Sequence, residues 1–137
     1  MLFRSEDLDG PGGNSPLMDS LLLQPNKTYA ASLLVLNKAA NPIDTISNEI
    51  LEEGDAHRFY YLPSANSNII VGGLDTDANG APLGLNSTWT TGNTGTGTMR
   101  ITLRHYPGMP PDKEIADPVN STKSSTDIEI TFDAVVQ

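Results

Sequence analysis

Asp75, Asp77 and Asn79 stand at alternate positions of a run, Asp75-Thr76-Asp77-Ala78-Asn79-Gly80, that closes on glycine. Side-chain oxygens at the first, third and fifth positions, followed by a glycine for a sharp turn, are what an oxygen-ligated calcium loop requires. The twelfth position, Asn86, is not the bidentate glutamate of an EF-hand, and no helical pattern flanks the run. The same residues are also the ordinary chemistry of a strand-to-strand turn, in which Asp and Asn side chains bond their own backbone. A second acidic run, Glu6-Asp7-Leu8-Asp9-Gly10, repeats the spacing and the glycine. Ordinary acidic surface turns are the plainer reading of both runs, and the candidate metal ligands beside it are Asp75, Asp77, Asn79, Asp7 and Asp9, with Ca2+ as the ion.

Two histidines offer a different chemistry. His57 and His105 both fall on the apolar phase of strand-like segments. Converging imidazoles, with Glu52, Glu53 or Asp55 as a third ligand, suit a transition metal. A histidine that only makes structural hydrogen bonds at a strand end is the plainer reading. No catalytic group is expected. Serines are plentiful, but none sits in a G-x-S-x-G elbow, and Glu52-Glu53 diverge on a helix surface instead of forming a glycosidase pair. Glycines 92, 95 and 97 are followed by no lysine and open no helix, so they are not a phosphate loop. Trp89, Tyr60, Tyr61 and Tyr106 would stack on sugar rings if exposed and coplanar, and are core or cross-strand residues otherwise.

The elements that must position these groups are mostly strands. Period-two alternation is clearest in 98–106, where Met99, Ile101, Leu103 and His105 oppose Arg100, Thr102 and Arg104. It is as clear in 127–137, where Ile128, Ile130, Phe132, Ala134 and Val136 alternate with Asp127, Glu129, Thr131 and Asp133. Such alternation predicts sheets with one wet face. Shorter strands are predicted over 17–23, 28–36, 57–62, 68–74 and 83–90, with 28–36 apolar on both phases and so central and buried. Ile43, Ile46, Ile50 and Leu51 at helical spacing, between Pro42-Asp44 and Gly54, predict one short helix. Residues 5–16 and 107–125 are rich in Gly, Pro, Ser, Asp and Asn and read as loops. Short strands separated by turn signals predict one all-β domain over 1–137, an antiparallel two-layer immunoglobulin-like sandwich with one short helix.

Composition narrows the partners. The 137 residues carry 8 Lys and Arg against 17 Asp and Glu, a net charge of -9. That field repels phosphate backbones and anionic lipid, which argues against nucleic acid and membrane surfaces. No cysteine is present, so disulfides and thiolate metal sites are excluded. No apolar run is long enough to span a bilayer. The first residues, MLFRSEDLDG, lack the apolar stretch of a signal peptide, so an extracytoplasmic life requires a leader already removed or a longer gene product. Asn26, Asn86 and Asn120 open glycosylation sequons, which matter only in a eukaryotic secretory pathway.

Taken in order, DLDGPGGNSP, LLLQPNKTYAASLLVLNKAANP, HRFYYLP, LDTDANGAPLGLNSTWTTG, GTMRITLRHYPGMPPD and TDIEITFDAVV span nearly the whole chain. With these features the chain resembles a family of small secreted, envelope-attached lipoproteins of Bacteroidota. Some members carry the label of a type 1 periplasmic binding fold, a label that describes two α/β lobes. The resemblance implies a periplasmic or cell-surface location and brings no mechanism. It also implies a further strand ahead of the segment matching Leu2 to Asp9, and a chain without that strand leaves a sheet edge open to self-association. The expected function is a non-catalytic secreted or cell-surface module for binding or assembly at the envelope. Its partner is then a protein or glycan, and the alternatives are a carbohydrate-binding module or a structural subunit of a surface filament.

Overall fold

The computed structural model describes residues 2–8 and 13–137. In chain order the elements are β1 (Ser5–Glu6), β2 (Leu17–Met18), β3 (Leu21–Leu23), β4 (Thr28–Ser32), β5 (Leu36–Asn37), β6 (Asp44–Thr45) and α1 (Ile46–Glu52). They continue with β7 (His57–Pro63), β8 (Ile69–Gly72), β9 (Asn86–Thr91), β10 (Gly95–His105) and β11 (Ser125–Val136).

Two sheets face each other. One has the order β3-β11-β10-β7 and the other β4-β9-β8. Counted in chain order, the seven strands of these two sheets place the second, fifth and fourth (β4, β9, β8) in one and the first, seventh, sixth and third (β3, β11, β10, β7) in the other. This is the immunoglobulin arrangement with the first strand on the latter sheet. The first strand departs from the expected all-antiparallel scheme: β3 runs parallel to the end of β11, pairing Leu21–Leu23 with Ala134–Val136. Leu21 and Leu23 are buried and Leu22 is exposed, so three residues suffice to close that corner with two leucines.

Alternation explains the core. Met99, Ile101 and Leu103 of β10 lie between Phe59 and Tyr61 of β7 and Phe132 of β11, in the ladder register of neighbouring strands. Trp89, in the middle of the opposite sheet, is paired with Tyr29 and Val71 and is 2% exposed. Burying each such large side chain contributes on the order of 1.5–3 kcal/mol. Phe3, from the segment ahead of β1, closes the open side of the sandwich. Its ring lies 6.1 Å from Trp89 in one sheet and 5.0 Å, edge-on, from Phe132 in the other.

Several expectations are corrected. The segment 28–36 is not a central strand: β4 ends at Ser32 on a sheet edge, Tyr29 and Ala31 are half-buried, and Leu34 is exposed. Its small outward residues, Ala30 and Ser32, face water at little cost. The helix is shorter than its periodicity suggests, because Ile43 lies before it and Ile43 and Leu51 are exposed, leaving Ser47 and Ile50 as its buried residues. The segment 5–16 is not wholly loop, since β1 and β2 form a small hairpin. Finally, the face of β10 predicted to be wet is partly dry. Thr102 is 1% exposed, and on the same outer face of the sheet Tyr60 and Tyr106 are buried too.

Candidate functional site

The cover on that face is the connection 107–124, and charged side chains fasten it. Tyr106 Oη and Tyr60 Oη share a 2.7 Å hydrogen bond, and Tyr60 Oη donates to the Asp117 carbonyl. Burial and the Tyr106 bond hold the Tyr60 hydroxyl far above its ordinary pKa. Arg58 stacks 4.3 Å from the Tyr60 ring centroid and donates to the Ile115 carbonyl. Arg104 donates through Nη2 to the carbonyls of Ser121 and Ser124. Lys123 bridges the Asp112 carbonyl and the Asp117 carboxylate at 2.8 and 2.9 Å. Burial alone would raise Asp117, but the Glu114 N–H and Lys123 overcome it and hold the carboxyl below its ordinary range.

Lys113 reaches deepest. Its Nζ donates to the carbonyls of Gly54 (2.8 Å), His57 (2.7 Å) and Pro82 (2.8 Å). It also lies 2.9 Å from Asp77 Oδ2, and the two side chains are 1% and 2% exposed. Asp77 is thus built into the fold. Its other oxygen, Oδ1, accepts the N–H groups of Asn79 and Ala81, the bonds of an acidic turn, and Gly80 takes φ +83° to complete it. Burial opposes the charge on Asp77, yet Lys113 and these N–H donors hold its carboxyl below the ordinary range. For Lys113 burial dominates and lowers the ammonium's pKa in spite of Asp77.

The remaining predicted ligands lie as follows. Asp75 Oδ1 accepts the Gly84 N–H at 2.7 Å and its Oδ2 accepts Asn86 Nδ2 at 2.9 Å. Asn79 is exposed on the turn. Asp7 is exposed just past β1, and Asp9 lies outside the described residues. Among the described residues no group of three or more His, Asp or Glu side chains comes together as a metal-binding set. Of the oxygens of Asp75 and Asp77, Asp77 Oδ1 makes the local bonds of an acidic turn, while Asp75 bonds residues 9 and 11 positions on and Asp77 Oδ2 meets Lys113.

His57 and His105 are direct partners across the β7–β10 ladder, with rings stacked at 4.9 Å and 21°. Stacked rings set their nitrogens in parallel planes instead of converging on one point. His57 Nδ1 bonds the Glu53 backbone carbonyl at 2.9 Å, so Glu53 meets it through its main chain. Three of the four candidate sugar-stacking rings are buried. Trp89, Tyr60 and Tyr106 are 2%, 9% and 0% exposed, the first turned between the sheets and the others under the 107–124 cover. Burial also pushes the half-buried Tyr61 up to about 12.

Two surface features remain. A groove of about 300 Å³ opens between α1 and the start of β11, floored by Ile46, Ile50, His57, Leu103 and Ile128. Glu49, Glu53 and Asp127 also line it, and all three are exposed. Beside it runs the outer edge of β11. β3 pairs only with Ala134–Val136, and among the described residues no backbone hydrogen bond reaches that edge from Ser125 to Asp133. The opposite edge of the same sheet is protected, because Leu83 accepts a bond from Phe59 and Gly84 crosses against the Phe59 carbonyl. An open sheet edge was among the sequence expectations, but which strand carries it is a property of the assembled sheet. No helix among the described residues is long and apolar enough to cross a membrane. Comparison with protein-family models, curated proteins and solved structures finds no match to this chain.

Proposed function

We propose that this chain is a non-catalytic β-sandwich module of the bacterial cell envelope, periplasmic or surface-exposed, that binds or assembles by accepting a strand on β11. The unpaired edge from Ser125 to Asp133 carries this reading. A row of free N–H and C=O groups is a template for an extended segment of another chain. Half-buried Ile128 and Ile130, beside the α1 groove, supply apolar footing for alternate side chains of that segment. The location rests on the resemblance to envelope lipoproteins.

Charge selects the partner. The exposed residues of β11 include Asp127, Glu129 and Asp133, and Glu49 and Glu53 stand across the groove. Two copies paired antiparallel about Ile130 would set Asp127 against Asp133, and shifting the centre by one residue sets Glu129 against Glu129 or Asp133. Like charges directly opposite are destabilising. The favoured strand is therefore a basic one with alternating apolar residues, from a partner protein or a differently charged subunit of the same assembly. The test is titration with a strand-length peptide alternating Lys and Val, read by calorimetry. Saturable binding that is lost in the Asp127→Lys, Glu129→Lys, Asp133→Lys variant supports the proposal. Binding that survives the charge reversal, or no binding at low salt, rejects it, and a concentration-dependent dimer by light scattering would assign the edge to a second copy.

A further inference from the structure

We propose that the carbonyls of Gly54, His57 and Pro82, together with the Asp77 carboxylate, form a monovalent cation site whose resident cation is the ammonium of Lys113. The four oxygens come from the turn before β7, the first residue of β7 and the Asp75–Leu83 loop, and all lie 2.7–2.9 Å from one nitrogen. The side chains of the pair are 1% and 2% exposed.

Counting protons against acceptors identifies the species. An ammonium has three N–H donors for these four oxygens. A neutral amine would turn its lone pair toward one of them. An amide formed between Lys113 and Asp77 with loss of water would keep a single N–H for three carbonyls. Only the charged form leaves no carbonyl facing a non-donor. The charge also matches, since one carboxylate and three neutral carbonyls balance one positive charge. A calcium loop gathers more carboxylates than this. The loop that reads in sequence as a candidate cation loop therefore closes on a cation tethered to the 107–124 connection, which it helps to lock over the outer face of β7 and β10.

Removing the tether exposes the site to small ammonium ions. In Lys113→Ala, propylammonium chloride is expected to raise the melting temperature saturably, as a ligand of the native state does. The wild type and Lys113→Met, whose side chain takes the place of the lysine stem, are expected not to respond, and tetramethylammonium chloride serves as the ionic control. Equal responses in all three proteins, or none in Lys113→Ala, would overturn the proposal. Should Lys113→Ala fail to fold, the wild type still decides it. A protected Lys113 ammonium signal in a proton–nitrogen correlation spectrum at neutral pH is expected, together with an intact mass equal to that of the sequence. Absence of that signal, or a mass lower by one water, would reject the tethered ion.

Discussion

The hydroxyls of Tyr60 and Tyr106 lie 2.7 Å apart on the face of β7 and β10 that alternation assigns to water, and among the described residues only one of them has a second partner. Tyr60 also donates to the Asp117 carbonyl, so the pair is asymmetric. Tyr106→Phe leaves Tyr60 bonded to Asp117 and should cost about 1 kcal/mol. Tyr60→Phe strands a buried Tyr106 hydroxyl and should cost more, about 2–3 kcal/mol. Urea unfolding of the two variants checks the order, and equal losses would contradict the assigned bonds.

Acid should release the Lys113 latch. The folded-state pKa of Asp77 is depressed, so its contribution to stability is present above the ordinary carboxylate range and is lost as pH falls through the lower, folded value. Wild type should therefore lose stability below the ordinary Asp range more steeply than Asp77→Asn. At neutral pH, Lys113→Met leaves a buried unpaired carboxylate and should cost about 3–5 kcal/mol. The double variant Asp77→Asn, Lys113→Met should cost less than the two single losses added, since the residues share one interaction. Denaturant midpoints against pH test both statements.

Phe3 should stabilise the domain although it lies outside every strand. Its ring bridges Trp89 and Phe132, one from each sheet. It is only half-buried, so Phe3→Ala should cost about 2 kcal/mol, below the range for fully buried rings. Near-ultraviolet dichroism and Trp89 fluorescence should change with it. No change in melting temperature would place the first residues outside the core.

Gly80 and Gly84 separate backbone strain from crowding. Both have positive φ, +83° and +87°. A Cβ at Gly80 meets open space, whereas one at Gly84 would lie 2.8 Å from the Phe59 carbonyl oxygen. Gly80→Ala should cost about 1 kcal/mol for the left-handed conformation alone. Gly84→Ala must also push β7 aside and should cost at least twice that. Thermal unfolding of the two variants provides the comparison.

The long strands were legible because period two leaves a trace in composition: Met99, Ile101 and Leu103, or Phe132, Ala134 and Val136, announce a buried face wherever they occur. The turn at Asp75–Gly80 was legible for a similar reason, since Asp77 bonds N–H groups only two and four residues ahead. Short elements were less legible. Tyr29 and Ala31 have the composition of a central strand, but a strand's place in the sheet depends on its neighbours, and among the described residues β4 has only β9. What no local pattern carries is the use of Lys113, Arg58, Tyr60 and Thr102. Lys113 lies in a segment that reads as an exposed loop, yet its partners are 31 to 59 residues away along the chain. The sequence by itself therefore determined the sandwich class, the inward faces of β10 and β11 and the turn-forming character of the Asp75–Gly80 run. Tertiary structure alone decided which cation meets that carboxylate and which strand edge stays open, because both depend on the packing of segments distant in sequence.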